Sequence, residues 1–330
     1  MADYKGIKGF KVTSIAGDPT NKVVGDVYYD TTANALKFVG GPSGTWASAG
    51  TVNNARRQTT CAPDGTPTAG LLFGGNPGPV EAKTETYNGT SWTELADLNL
   101  GRYEAGGGGT QAAALAFGGW SDVSGGAKDE TETWNGTSWT EVNDLNVASR
   151  GLASCGTQGA ALAIGGGRTP SQTISASVEQ WNGTSWTEVN DLNTARLYFP
   201  GAGTVTAGLA MGGNTPGITG ATESFNGTSW TEVNDLNTAR LGNTGFGTQS
   251  AALTAGGDAP AQTAVTETWN GTSWTEVADL ASARSTSGAG GSSTAGLIAA
   301  GYLAPASPTD LNISEEWSVS DYTIKTVTVS

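Results

Sequence analysis

Short runs of small and apolar residues recur along this chain, and each run ends at a glycine pair. Residues 161–166 (Ala-Leu-Ala-Ile-Gly-Gly) show the pattern; a polar stretch, the Glu179–Trp181 segment and Asn-Gly-Thr-Ser-Trp186 follow. Strand side chains alternate between two faces, and Asn-Gly between two such runs is a strong β-hairpin signal. Each block therefore predicts four short antiparallel strands: a small-residue strand, an apolar strand, a Glu-x-aromatic strand and a Trp-Thr-Glu strand.

The blocks form a regular repeat. Asn-Gly-Thr-Ser-Trp occurs five times after a degenerate first copy, and the repeat tryptophans are 46, 47, 47, 44 and 44 residues apart. These tryptophans are Trp46, Trp92, Trp139, Trp186, Trp230 and Trp274. An arginine follows each one after 10 or 11 residues, at Arg56, Arg102, Arg150, Arg196, Arg240 and Arg284. A glutamate two residues before an aromatic residue recurs at Glu85, Glu132, Glu179, Glu223, Glu267 and Glu315. Such periodicity is typical of proteins built from stacked structural repeats.

The Asn-Gly segments predict tight hairpins within each repeat. A two-residue type I′ loop at Asn88-Gly89 brings Glu85, Tyr87 and Trp92 to one face of the hairpin, because paired residues share a face. One aromatic pair per repeat then fills the space between neighbouring sheets.

The combination of arginine, glycine pair, Glu-x-aromatic segment and later tryptophan resembles the kelch repeat. The resemblance implies an all-β fold: a six-bladed kelch-like β-propeller of four-stranded antiparallel blades, with a short N-terminal attachment segment. We assign residues 1–40 to that segment and residues 41–330 to the propeller. The strand of Trp46 is expected to complete the sixth blade, and a rival closing strand is residues 322–330.

The six repeat glutamates and six repeat arginines predict one structural ion pair per blade. A second interpretation of the arginines is a central site for an anion. The Asp-Leu-Asn segments that begin at Asp97, Asp144, Asp191 and Asp235 predict turns, since aspartate caps turns locally.

Composition argues against catalysis. The chain has no histidine, which removes the commonest general base and metal ligand, so we expect no enzyme activity, no catalytic residues, no metal and no cofactor.

A net charge of −14 argues against nucleic-acid binding. The start of the chain has no apolar core typical of a signal peptide, and no apolar run is long enough for membrane insertion. Cys61 and Cys155 are expected to be buried small residues.

The loops after the glycine pairs differ between repeats, and they form the candidate ligand-binding face. They are residues 76–83, 120–130, 167–177, 214–221, 258–265 and 302–313. Variable loops on a rigid scaffold commonly carry binding function. Within them Trp120, Asp122, Arg168 and Tyr302 lie outside the repeat pattern, so they are the candidate ligand-binding residues. Packing of Trp120 on its own blade is the structural alternative.

The first 40 residues do not follow the repeat. Their Gly25-Asp-Val-Tyr-Tyr-Asp30 segment, the Thr/Asn turn and Ala35-Leu-Lys-Phe38 resemble the opening of virion proteins from marine tailed phages. The resemblance implies a hairpin and a virion localisation after synthesis in the host cytoplasm, as a tail-fibre, tail-tip or capsid-surface appendage. It also implies multiple copies, other virion proteins as partners of the N-terminal segment, and a host-surface glycan or protein as partner of the propeller. The alternative is a soluble kelch-type scaffold that binds proteins or carbohydrate.

Overall fold

The computed structural model describes residues 12–23, 25–41, 43–78, 80–123, 125–168, 173–304 and 309–327. These residues form strands and connecting segments, with no helix among them. The chain divides into two compact units, one of Met1–Thr45 with Val319–Ser330 and one of Trp46–Ser318. The strand near the C-terminus, which our sequence division assigned to the propeller domain, falls within the smaller unit.

The described residues form eight sheets, and six of them, repeat sheets 1 to 6, each contain four strands of the repeat. Sheet 1 contains Thr60–Cys61, Gly70–Phe73, Thr84–Tyr87 and Trp92–Glu94; sheet 2 contains Gly106–Gly109, Ala114–Phe117, Thr131–Trp134 and Trp139–Val142; sheet 3 contains Ala153–Thr157, Ala160–Ile164, Val178–Trp181 and Trp186–Val189. Sheet 4 contains Gly201–Thr204, Ala207–Asn214, Ile218–Phe225 and Trp230–Val233; sheet 5 contains Thr244–Thr248, Ala251–Ala255, Thr266–Trp269 and Trp274–Glu276; sheet 6 contains Gly288–Ser292, Ala295–Ala299, Ser314–Ser320 and Ser43–Ala49.

The repeat sheets follow one another around a closed ring. The first strand of each sheet contacts the first strand of the next, and Gly288–Ser292 of sheet 6 contacts Thr60–Cys61 of sheet 1. The fourth strand of sheet 6 is Ser43–Ala49, as expected for the strand of Trp46. The rival closing strand does not join the ring, because Thr323–Thr326 pairs with Ala35–Gly40 instead. Four-stranded sheets arranged radially in this way form a β-propeller.

Two of the variable loops contain strands of their own. In repeat 3, Gly167–Arg168 lies between Ser149–Arg150 and Thr173–Ile174 in a three-stranded sheet. In repeat 4, Ile218–Phe225 starts inside the expected loop 214–221, so most of that loop is a strand. Of the variable loops, residues 79, 124, 169–172 and 305–308 lie outside the described residues.

The smaller unit contains a four-stranded sheet. Its strands are Thr13–Ile15, Val27–Asp30, Ala35–Gly40 and Thr323–Thr326. The second and third form the hairpin that the N-terminal resemblance implied, with Val27 opposite Phe38. Tyr28, Leu36 and Val39 are buried in this unit.

The hairpin loops of the repeats are longer than predicted. Tyr87 pairs directly with Trp92, so residues 88–91 form a four-residue loop. The Asn88 side chain accepts hydrogen bonds from the backbone N–H groups two and three residues later, at 3.0 and 2.9 Å. Of the Asn-Gly pair only Gly89 has a positive φ, 89°, whereas a type I′ turn needs two. The predicted turn type was wrong, but the shared face of the two aromatic residues is confirmed.

An aromatic pair lies on the two outer strands of every repeat sheet. Ring centroids are 4.9–5.4 Å apart in the six pairs, which are Tyr87–Trp92, Trp134–Trp139, Trp181–Trp186, Phe225–Trp230, Trp269–Trp274 and Trp317–Trp46. The outer tryptophan also reaches the preceding sheet: the Trp139 indole lies 5.0 Å from the ring of Phe73 and donates a hydrogen bond to Thr84 Oγ1 at 2.9 Å. The pairs therefore fill the space between sheets, as predicted.

The repeat glutamate is the polar centre of each sheet. In sheet 5 the Glu267 carboxylate lies 2.6 Å from the Arg240 guanidinium, and both side chains are fully buried. Its other oxygen accepts hydrogen bonds from the backbone and side-chain amides of Asn237, at 2.8 and 2.7 Å, and Asn237 follows the last strand of sheet 4. One carboxylate thus connects each sheet, through these hydrogen bonds, to the segment that arrives from the preceding sheet.

Five repeats contain this ion pair, at distances of 2.5–3.1 Å. The pairs are Arg56–Glu85, Arg102–Glu132, Arg196–Glu223, Arg240–Glu267 and Arg284–Glu315. The arginines are buried within the sheets, which rules out the interpretation that all six line a central anion site.

Repeat 3 departs from the predicted pattern. In the other repeats, the backbone N–H of the last glycine before the variable loop donates to the carbonyl of the next repeat arginine. The Gly119 N–H donates instead to the carbonyl of Ser149, at 2.8 Å. Ser149 therefore holds the position of the repeat arginine, and Arg150 is displaced by one residue. Arg150 pairs with Glu104 instead, at 3.1 Å. Among the described residues Glu179 has no ion-pair partner and is held by the amides of Asn146 and Val147.

Neutralising the repeat glutamate should cost more stability in a repeat that has the ion pair than in repeat 3, where Glu179 is held by amides alone. We expect Glu267→Gln to lower the free energy of unfolding by about 3–5 kcal/mol, because it leaves the buried Arg240 guanidinium unpaired. The matched variant Glu179→Gln should cost only about 1 kcal/mol, the loss of one good hydrogen-bond acceptor. Urea unfolding followed by tryptophan fluorescence measures both, and equal losses would contradict the assignment of Ser149 to the arginine position.

Candidate functional site

Six backbone positions, one per repeat, surround the central channel of the ring of sheets. They are Gln58, Glu104, Gly151, Tyr198, Gly242 and Thr286, and each has a φ between 54 and 62°. The N–H of each residue donates to the carbonyl of its counterpart in the preceding sheet, at 2.7–3.1 Å, and the N–H of Gln58 donates to the carbonyl of Thr286. The six hydrogen bonds form a closed loop, here called the six-residue ring.

The six-residue ring holds side chains at positions that favour glycine. A left-handed backbone costs a residue with a Cβ about 1–2 kcal/mol, and a β-branched residue such as Thr286 is least suited to it. Only two of the six positions are glycine, whereas Gln58, Glu104, Tyr198 and Thr286 keep side chains there. Strained residues of this kind cluster at functional sites.

An open cavity of about 410 Å³, the mouth cavity, lies over the six-residue ring. It is lined by two arginines, two acidic residues, three tyrosines and four neutral polar residues. The six-residue ring contributes Gln58, Glu104, Tyr198 and Thr286. The segments after the glycine pairs contribute residues such as Tyr302, so the cavity opens on the variable-loop face.

Glu104 is at the centre of a hydrogen-bonded network in the mouth cavity. Its side chain is 4% exposed, and its Oε2 lies 3.1 Å from Arg150 Nη1 and accepts a hydrogen bond from the Tyr198 hydroxyl at 3.4 Å. The Gln58 amide donates to the other carboxylate oxygen. Burial raises the pKa of Glu104 above its usual range, although Arg150 and the hydrogen bonds oppose the shift. Burial, together with the Glu104 charge, raises the pKa of Tyr198 to about 12.

A second group of side chains forms the opposite wall. The Arg57 guanidinium lies 4.9 Å from the ring centroid of Tyr302 and 3.5 Å from Asp310. Asp258 accepts a hydrogen bond from the Gln262 amide at 2.6 Å, and burial raises its pKa. Both arginines of the cavity are therefore already paired with carboxylates.

Three of the four candidate residues from the sequence lie at or beside this site. Tyr302 lines the mouth cavity. Trp120 donates from its indole to Asp122 at 2.8 Å, and the Arg150 guanidinium lies 4.7 Å from the Trp120 ring centroid, so this pair supports the cavity wall through Arg150. Arg168 pairs with Ser149 in the three-stranded sheet and is not among the described residues that line the cavity.

Sequence reasoning missed most of the cavity. Arg57, Gln58, Glu104 and Tyr198 were not singled out, and Arg150 was assigned a structural role. One signal was present: Arg150 is the only repeat arginine 11 residues after its tryptophan, whereas the others follow after 10. That extra residue moves the arginine from the buried ion pair to the mouth cavity.

Below the six-residue ring the channel narrows to smaller spaces of about 110 and 120 Å³. Three buried oxygens around them have no hydrogen-bond partner, namely Thr59 Oγ1, Thr286 Oγ1 and Asn243 Oδ1. The lining includes Cys61, and both cysteines of the chain are buried and unpaired, as expected. Burial raises the pKa of each thiol to about 12.

The described part of the chain shows neither of two further features. Within the described ranges, no three His, Cys, Asp or Glu side chains are grouped as metal ligands. None of the described segments is a helix of the length and apolarity needed to cross a membrane.

Substitution of Thr286 tests the strain in the six-residue ring. Thr286→Gly and Thr286→Ala both remove the unpartnered hydroxyl, but only glycine relieves the left-handed backbone. We expect the glycine variant to be more stable than the alanine variant by about 1 kcal/mol, which raises the Tm by about 2 °C for a ring of this size. Calorimetry measures the difference, and a higher Tm for the alanine variant would show that the position is unstrained.

The pKa of Glu104 predicts a pH-dependent effect. Because the pKa is raised in the folded chain, the ionised carboxylate costs folding free energy at neutral pH, and the cost vanishes as the pH falls to the ordinary value of 4.5 and below. Glu104→Gln should therefore raise the Tm at pH 7 and leave it unchanged near pH 4. A lower Tm at pH 7 would mean that the ion pair with Arg150 outweighs the cost of burial.

Comparison with known proteins identifies the architecture. No protein-family model and no curated protein matches the sequence. A solved structure described as "Structure of YjhT", a propeller-type protein, aligns with a TM-score of 0.69 and 13% sequence identity, over 84% of this chain and 99% of that chain. At this identity the likeness concerns the fold alone, and it agrees with the closed ring of repeat sheets: the chain is a β-propeller.

Proposed function

We propose that this chain is a structural virion protein of a tailed phage, a tail-fibre, tail-tip or capsid-surface appendage present in multiple copies. Its propeller binds a component of the host surface or another virion protein. Binding, rather than catalysis, is the role of the mouth cavity. The observation that carries the binding role is the group of side chains that the six-residue ring holds at strained positions over an open cavity.

We infer further that the propeller is six-bladed and of the kelch type. The six repeat sheets would be the blades; of the other two sheets, one joins the loop of repeat 3 to Ser149–Arg150 and one lies in the smaller unit. The buried Arg–Glu pairs, the glycine pairs and the outer tryptophans recur at the positions by which the sequence resembles kelch repeats.

The virion assignment rests on the N-terminal resemblance. Support comes from the smaller unit, in which Val27–Asp30 and Ala35–Gly40 form a hairpin of the kind the resemblance implies. In this proposal the N-terminal segment contacts other virion proteins. The alternative is a soluble kelch-type scaffold for proteins or carbohydrate, and the mouth cavity favours it equally, because a binding site of this kind needs no virion.

Two substitutions in the full chain test the proposal on particles. Leu36 is buried in the smaller unit, so Leu36→Asp should disrupt its sheet and abolish incorporation into particles, measured by mass spectrometry of purified virions. Tyr302→Ala should leave incorporation unchanged and reduce adsorption to host cells, since it alters the mouth cavity. Near-ultraviolet circular dichroism of the tryptophans checks that the ring stays folded in both variants.

The outcomes distinguish the virion proposal from the soluble-scaffold alternative. Cryo-electron microscopy of wild-type particles should show a ring of six sheets attached through the N-terminal segment. If intact particles lack the chain and the protein is found free, the virion proposal is wrong and the soluble scaffold replaces it. If particles contain it but Tyr302→Ala adsorbs normally, the mouth cavity does not contact the host.

A further inference from the structure

The described residues that line the mouth cavity are all polar. These eleven are charged, amide-bearing, hydroxyl-bearing or tyrosine residues, and none of them has an aliphatic side chain. An apolar ligand would leave these groups without hydrogen-bond partners, and buried polar groups without partners are costly. The ligand must therefore be rich in hydrogen-bonding groups.

Each arginine of the cavity is already paired with a carboxylate. Arg150 lies 3.1 Å from Glu104, and Arg57 lies 3.5 Å from Asp310. The remaining lining carboxylate, Asp258, accepts a hydrogen bond from Gln262. An anionic ligand would have to compete with these carboxylates for the two arginines. With three carboxylates against two arginines, the cavity selects against a negatively charged ligand and accommodates a neutral one.

Hydroxyl groups fit this arrangement best. A hydroxyl both donates and accepts, so it can bond to carboxylate oxygens and to arginine or tyrosine donors at the same time. Glu104 Oε2 and the Tyr198 hydroxyl lie 3.4 Å apart, a spacing at which neighbouring hydroxyls of one ligand can reach both. The half-buried rings of Tyr103 and Tyr302 add flat, amphipathic surfaces.

The site is also preorganised. The backbone of Gln58, Glu104, Tyr198 and Thr286 is fixed by the closed ring of hydrogen bonds, so little freedom remains to be lost on binding. A volume of about 410 Å³ falls within the usual range for small-molecule sites, about 300–1,000 Å³. A single sugar unit is a polyhydroxylated ligand of suitable size.

We propose that the mouth cavity binds a neutral sugar residue of a glycan, with Glu104, Arg150 and Tyr198 bonding its hydroxyls and the tyrosine rings packing against it. This inference rests on the binding role proposed above and names its ligand class.

The test is a titration of the full-chain protein with methyl glycosides, followed by calorimetry or ligand-observed NMR. The probes are the methyl glycosides of glucose, galactose, mannose and N-acetylglucosamine, together with the methyl glycosides of glucuronic and galacturonic acid. We expect at least one neutral glycoside to bind and the matching acid, where the panel has one, to bind at least about tenfold more weakly. Absence of binding by every glycoside, or tighter binding of an acid, would overturn the inference.

A matched pair of variants locates the binding. Tyr198→Phe removes one hydroxyl from the cavity and should weaken binding about tenfold, the value of one good hydrogen bond. Tyr29→Phe removes a hydroxyl that bonds to Asn34 in the smaller unit and should have no effect. Equal affinities of Tyr198→Phe and the wild type would exclude the mouth cavity as the sugar site.

Failure of this inference can be told apart from failure of the proposed function. If Tyr302→Ala particles adsorb poorly while no glycoside binds, the cavity contacts a protein, so the sugar inference fails and the virion role stands. If a glycoside binds but the chain is absent from particles, the sugar inference stands and the virion role fails.

Discussion

A buried carboxylate in each repeat sheet is the interaction on which the ring depends. Glu267 shows the arrangement: it pairs with Arg240 on one side and binds the amides of Asn237, which arrives from the preceding sheet, on the other. A charge buried without a partner would cost several kcal/mol, so each glutamate holds sheet and connecting segment in one geometry. The outer tryptophans add apolar contact between the same neighbours.

The ring of sheets in turn imposes a strained backbone on the six-residue ring at its centre. Successive inner strands converge on the channel, and their entry positions meet in a closed loop of hydrogen bonds that requires a left-handed backbone in all six repeats. Glycine would meet this requirement without steric strain. The side chains of Glu104 and Tyr198 stand there nonetheless, which ties the scaffold geometry directly to the candidate site.

Repeat 3 shows how a binding group arises within a symmetric scaffold. Displacement of the arginine by one residue leaves Ser149 in the structural position, and Arg150 contacts Glu104 of the neighbouring repeat. Five intact ion pairs keep the other sheets in register. Glu179 remains anchored by the amides of Asn146 and Val147, so the exchange removes the arginine's ion pair and hydrogen bonds but keeps these amide hydrogen bonds.

The repeat, its strands, the aromatic pairs and the strand of Trp46 in the sixth sheet could all be predicted, because they follow from local periodicity and turn chemistry. The fold of the chain was needed to establish the four-residue hairpin loops, the pairing of Thr323–Thr326 and the place of Arg150. Register depends on which strands pair, and one residue of displacement is invisible until they do. The fold also forms the mouth cavity, because Glu104 and Tyr198 are distant in the chain and come together only in the ring of sheets.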